Sequence, residues 1–194
     1  MLPPIAPFGS AKEILRERMK AERREAAKAR PDAAEHAARL FLEHIPVSEG
    51  AAVSLYYAIG SELDTTPLMK ALTERKAILA LPVVMRKKQP LIFRRYTPGD
   101  TLVRTGFGLM TPAPNKETVI PEIVVTPLLA FTRNGGRLGF GGGFYDRTLA
   151  KFREKESILV VGYAYGAQEV DALPLTPLDQ PLDWIITERE AIRV

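Results

Sequence analysis

Cysteine is absent from the 194 residues, so disulfides and thiolate chemistry are excluded. Histidine is nearly absent: His36 and His44 are the two in the chain. Both fall in a stretch patterned as a helix, where we expect them at the surface and outside any chemistry. No apolar run approaches the length of a membrane span. The Pro-rich residues 1–9 lack the basic start and long apolar stretch of a signal peptide. A cytoplasmic protein with no membrane partner is the expectation. There is no repeat of fixed period, no low-complexity tract and no linker. We expect residues 1–9 to be disordered, 10–194 to form a single domain, and the chain to be a monomer.

What is present has the balance of an ordinary globular protein, with 46% hydrophobic and 26% charged residues. The formal net charge of +4 is unevenly spread: residues 12–30 hold eight Lys/Arg against four Glu. Such a cluster attracts nucleic acid, a lipid surface or a polyanionic small molecule, unless it is simply a solvated helix face. Its basic residues alternate with Glu13, Glu17, Glu22 and Glu25, and no base-stacking motif accompanies them, which argues against nucleic acid.

Ser-Ala-Lys-Glu at 10–13 has the capping-box pattern and predicts a helix over 11–29, ended by Pro31. Asp-Ala-Ala-Glu at 32–35 repeats the start signal for a second helix to His44. Short apolar runs at 51–57, 77–84, 91–96, 122–126, 158–165 and 183–187 read as strands. Helices are predicted from Asp64, Thr65 and Pro67 to about 75, and over 146–154. Strands alternating with helices imply an α/β fold: a mainly parallel sheet flanked by helices on both faces, three-layer and Rossmann-like. Ligands in such sheets sit beyond the carboxyl ends of the strands. Residues 97–116, with Pro98, Gly99, Gly106, Gly108, Pro112 and Pro114, form either a substrate-facing loop or a surface excursion.

Six of the 14 glycines lie between Gly135 and Gly143. Glycine is costly to order, and this density lets backbone amides approach an anion without a Cβ in the way. A loop of this kind feeding a helix amino terminus is a phosphate-binding device, to which Arg137 adds a fixed positive charge. Neither a Gly-Lys-Ser/Thr element nor the spacing of the dinucleotide fingerprint is present. The glycines alone therefore indicate an anion site, of the kind that takes a nucleotide phosphate. Asp146 follows directly and is suited to Mg²⁺, which binds through one or two carboxylates plus phosphate oxygens. Asp183 is a second candidate.

The segment Arg-Leu-Gly-Phe-Gly-Gly-Gly-Phe-Tyr-Asp-Arg at 137–147 is similar to the signature Arg-Leu-Gly-x-Gly-x-Gly-Tyr-Tyr-Asp of the 5-formyltetrahydrofolate cyclo-ligases, also called methenyltetrahydrofolate synthetases. Three further places agree. Residues 10–16 resemble that family's Lys-x-x-Leu-Arg segment, Ser-Glu-Leu-Asp-Thr at 61–65 resembles its Glu-x-Asp/Glu-Thr, and 183–188 resemble its C-terminal Asp strand. The resemblance implies that Lys12 and Arg16, four apart and hence on one helix face, contact ATP phosphates. It implies an ATP loop of Arg137, Gly139, Gly141, Gly142, Gly143 and Tyr145, with Lys12, Arg16 and Arg137 stabilising phosphate charge during catalysis. It implies Mg²⁺ on Asp146 and Asp183, a pterin on Glu62, and a folate site lined by Tyr57, Leu109 and Phe144. Phe144 stands where the family has a tyrosine, Thr111 where a glutamate often precedes proline, and Thr132 where a carboxylate follows a buried strand.

The implied reaction is cyclisation of 5-formyltetrahydrofolate to the 5,10-methenyl compound at the expense of ATP, with small molecules as the only partners. A different phosphoryl-transfer or nucleotide-using α/β enzyme is the alternative, and a nucleic-acid-binding protein using the basic helix is the third.

Overall fold

The computed structural model describes residues 8–105, 109–155 and 157–194. Residues 1–7 of the expected disordered segment, and Gly106 and Gly108 of the irregular stretch, lie outside the described residues. Helix α1 (Phe8–Ala29) begins earlier than the capping pattern predicts, so Ser10 lies within its first turn rather than ahead of it. Met19 and Arg23 are buried on this helix and follow Lys12 and Arg16 at i+7 and i+11, the period of one helix face.

Helix α2 (Ala33–His44) starts at the predicted Asp32, but that carboxylate makes no capping hydrogen bond. It lies instead 3.4 Å from Arg30 Nε and 3.6 Å from His36 Nε2. Ala33, Ala34, Ala37, Ala38 and Phe41 form its buried stripe, while His36 is half-buried and His44 exposed.

The chain then alternates through β1 (Ala52–Ser54), α3 (Thr66–Glu74), β2 (Ile78–Val83), β3 (Ile92–Arg95), β4 (Leu102–Arg104), β5 (Met110–Pro112), β6 (Ile123–Thr126), β7 (Ala130–Phe131), β8 (Arg137–Leu138), α4 (Phe144–Arg153), β9 (Leu159–Tyr163), β10 (Trp184–Ile186) and β11 (Ala191–Arg193). Seven strands make one sheet in the order β11-β10-β9-β6-β1-β2-β3. The five inner strands are parallel, and β3 and β11 close the edges antiparallel. Each predicted strand is present. Strand β11 and the hairpins β4–β5 and β7–β8 were not anticipated, being two or three residues per strand.

The inner strands alternate between two apolar layers, as the period of two requires. Val53, Leu79, Leu81, Val125, Val161 and Ile186 pack with α2 and α3. Ala80, Val124, Val160 and Ile185 pack on the other side with Leu149 of α4. Helices therefore cover both faces, giving the three layers expected. Strand β1 pairs with β2 on one side and with β6 on the other, so the strand order reverses there. This is a topological switch point, where open α/β sheets bind ligands beyond the carboxyl ends.

Candidate active site

A cavity of about 770 Å³ opens where β1, β2 and β6 end, and is lined by Pro82 near the end of β2 and by Tyr56, Tyr57, Val84 and Pro127 from the segments that follow these strands. The segment after β1 is held by its own hydrogen bonds. Tyr56 Oη donates to Leu63 O at 2.7 Å, and Thr65 Oγ1 donates to Tyr56 O at 2.6 Å. Glu62 hangs from this frame into the cavity wall, only 8% exposed, with its Oε2 accepting from the Ile59 amide at 2.8 Å. Burial pushes its carboxyl above the usual range, against the opposing pull of that amide and of Arg23. Burial likewise raises the phenols of Tyr56 and Tyr145, which stay protonated at neutral pH.

The glycine-rich segment is two devices rather than one loop. Gly135 and Gly136 belong to the turn of the β7–β8 hairpin, where the Thr132 hydroxyl accepts from the Gly136 amide at 3.1 Å. That hairpin fixes Arg137, which is 5% exposed and donates through Nη2 to Asp146 Oδ1. Residues 139–143 then line the cavity and lead into α4. Gly143 caps this helix at φ 62°, and Gly141 sits at φ 100°. A Cβ on Gly141 would lie 3.1 Å from Arg16 Cζ, so its glycine serves both backbone and close approach. The amino terminus of α4 faces the cavity through Phe144, Tyr145, Asp146 and Arg147, an arrangement that favours an anion.

Helix α1 supplies the third wall. Lys12 forms a 2.8 Å ion pair with Asp179, and Arg16 Nε donates to Gly139 O at 2.9 Å. Burial alone would raise Asp179, but hydrogen bonds from Lys12 and Thr176 hold its carboxyl below the usual range. Elsewhere in the basic stretch, Lys20 and Lys28 pair with Glu17 and Glu25 one turn away, and Arg30 faces Asp32 and Glu188. Among the described residues no helix is long and apolar enough to cross a membrane.

Lys12, Arg16, Tyr57, Glu62, Leu109, Arg137, Gly139, Gly141, Gly142, Gly143, Phe144, Tyr145 and Asp146 all line this one cavity. From the irregular 97–116 stretch, Leu109 and Met110 line it. Asp183 is not among the lining residues. It precedes β10 at the strand's amino end, opposite the cavity, where its carboxylate accepts from the Val160 amide at 2.7 Å and faces Arg153 Nη2 at 3.3 Å. Arg153 is seven residues beyond Asp146 on α4, about 10 Å along the axis. Asp183 is therefore a strap between sheet and helix, apart from the other candidates.

Arg147, Asp179 and Gln180 also line the cavity, and Arg23 lies beside Glu62; none of the four is among the residues expected from sequence. Arg23 was legible from its spacing to Lys12, Arg16 and Met19. The 176–180 segment carries no periodic signal, and only folding brings it beside Lys12. A magnesium ion fits Asp146 only if phosphate oxygens complete its shell. Among the described residues no group of three or more His, Cys, Asp or Glu side chains converges.

Anion-favouring groups and apolar side chains lining one cavity at a switch point define a class: α/β proteins with a site suited to a small, partly anionic organic molecule. Within that class, this chain belongs to the 5-formyltetrahydrofolate cyclo-ligase family, whose model matches residues 9–188. It is 39% identical over 135 residues to the 5-formyltetrahydrofolate cyclo-ligase of Haemophilus influenzae, covering 67% of this chain and 72% of that one. The Escherichia coli 5-formyltetrahydrofolate cyclo-ligase is 34% identical over 158 residues, covering 79% and 86%. The solved structure of the Aquifex aeolicus 5,10-methenyltetrahydrofolate synthetase superposes with a TM-score of 0.67 at 30% identity, covering 94% of this chain and 92% of that one.

Proposed function

We propose that this chain converts 5-formyltetrahydrofolate to 5,10-methenyltetrahydrofolate, with ATP cleaved to ADP and phosphate. The observation that carries this reading is that one cavity is lined by two kinds of group. Lys12, Arg16, Arg137, residues 139–143 and the α4 amino terminus favour an anion, while Tyr57, Leu109 and the Phe144 ring offer apolar surface, and Glu62 lines the same cavity.

A formamide oxygen is a poor leaving group. Transfer of the γ-phosphoryl group of ATP to that oxygen releases ADP and leaves an iminium phosphate. N10 attacks the formyl carbon, the C–O bond to phosphate breaks, and loss of the N10 proton gives the methenyl bridge. No protein nucleophile is required. The protein aligns two substrates and stabilises moving phosphate charge.

Lys12 and Arg16 reach the phosphates from α1, and Arg137 from the hairpin. Arg137 is paired with Asp146, which offsets the cost of burying its guanidinium beside the phosphate site. Asp146 would hold Mg²⁺ together with phosphate oxygens, and the ion would neutralise charge on the triphosphate. Glu62 accepts from the amino and ring N–H groups of the pterin. Leu109, Tyr57 and Phe144 pack on its faces.

Protein mixed with Mg·ATP and 5-formyltetrahydrofolate should generate the near-ultraviolet absorbance of the methenyl product. ATP cleavage that depends on some other acceptor, with no absorbance from this one, would overturn the reading.

A further inference from the structure

Arg23 is a buried charge that the mechanism above does not use. It is 5% exposed, yet it comes from an exposed-faced helix rather than from the sheet or the glycine loop. Its Nε donates to Ser61 Oγ at 3.2 Å, and its guanidinium lies 5.2 Å from the centre of the Phe140 ring. Its Nη1 is buried and makes no hydrogen bond. The nearest carboxylate, Glu62 Oε1, is 3.8 Å from that nitrogen, which is charge-pair distance rather than hydrogen-bond distance.

Burying a guanidinium with an unused donor is costly, and an apolar side chain at this point of α1 would pack at no such cost. Stability therefore does not explain Arg23. Its position does suit another purpose. Glu62 Oε2 is tied to the Ile59 amide, whereas Oε1 faces Arg23 without a hydrogen bond from it. That oxygen keeps its lone pairs for a ligand N–H while the neighbouring positive charge favours the carboxylate form.

We propose that Arg23 is a positioning residue for substrate binding, holding Glu62 as an aligned carboxylate that accepts from the pterin N–H groups. The inference rests on the folate reading of the cavity and adds to it the residue that makes the pterin acceptor competent. Glu62 is faced by Arg23 from α1, by Tyr56 at the end of β1 and by Tyr145 from α4. Both phenols remain neutral at physiological pH, so Arg23 is the one cation among these neighbours. Burial drives Glu62 toward protonation, and Arg23 opposes it. Removing Arg23 moves the protonation of Glu62 to higher pH, and a protonated carboxyl no longer accepts from two N–H groups.

The test is steady-state kinetics of Arg23→Met and Arg23→Lys across the acid-to-neutral range, with product absorbance as readout. Arg23→Met should raise KM for 5-formyltetrahydrofolate about tenfold or more, with kcat falling less. The pH below which KM climbs should move upward. Arg23→Lys, which keeps the charge, should recover most of the wild-type pH profile. Glu62→Gln removes the group through which Arg23 acts, so adding Arg23→Met to it should raise KM little further.

Wild-type KM and pH profile in Arg23→Met would overturn the inference. So would equal defects in the Met and Lys variants, or fully additive losses with Glu62→Gln, since these describe a structural arginine. If Arg23→Met does not fold, the Lys profile and the Glu62→Gln cycle with Arg23→Lys decide the matter alone. A wild-type protein that forms no methenyl product would bring down the functional reading, and this inference with it. An active wild type with unresponsive Arg23 variants would bring down this inference only.

Discussion

Asp146 accepts from both Arg137 and the Gln180 amide on one oxygen, Oδ1. That geometry dictates how its role should be probed. Alanine would strand Arg137 in a buried position without its partner, at a cost of about 3–5 kcal/mol for a fully buried pair. Asparagine keeps an acceptor for both donors and removes only the charge. We expect Asp146→Asn to lower kcat/KM for Mg·ATP by about a hundredfold or more with an unchanged circular dichroism spectrum. Wild-type turnover would remove Asp146 from metal binding. Asp183 calls for the opposite result. Asp183→Ala leaves the Val160 amide without its acceptor, a loss of about 1–3 kcal/mol, so the melting temperature should fall while KM for ATP stays at its wild-type value. A large rise in that KM would return Asp183 to the nucleotide site.

At the scale of elements, α1 and the residues 139–143 act as one unit. Arg16 donates to Gly139 O and packs against Gly141, so helix and loop set each other's position. Arg16→Ala should raise KM for ATP roughly tenfold, as expected for loss of one charged phosphate contact. Gly141→Ala should raise the same constant through geometry alone. Its backbone is in a left-handed region and its new Cβ would press on the Arg16 guanidinium. If Gly141→Ala left KM for ATP unaltered, the close approach would have no bearing on binding. The hairpin β7–β8 is the other working element, since it delivers Arg137 from a turn in which the Thr132 hydroxyl accepts from the Gly136 amide.

The whole molecule is a sheet sealed by helices on both faces, and part of its core, the α2–α3 layer around Phe41, does not line the cavity. Phe41 of α2 is fully buried in the layer shared with α3 and strands β1, β2 and β6. Phe41→Ala should cost about 3–5 kcal/mol in chemical denaturation. KM for either substrate should stay near wild type below the unfolding transition. A change in KM of similar size to that of Arg16→Ala would mean that the α2–α3 layer and the site are coupled. The cavity itself owes its place to topology: β1 is paired on both sides, with β2 and β6, and the segments leaving these strands must diverge around a crevice.

The six principal strands and four helices were legible in local pattern, because hydrophobic period and capping residues act within one element. Gly139 to Asp146 was legible for the same reason: adjacent residues that act together announce themselves by composition. Pairings across the chain were not. Lys12 with Asp179, Arg23 with Glu62 and Asp183 with Arg153 join segments 167, 39 and 30 residues apart, and no local pattern encodes which distant side chain a charge will meet. Asp183 shows the consequence. Local pattern places it at the start of a strand, but that its carboxylate meets Arg153 of α4 was decided only when the helix packed on the sheet.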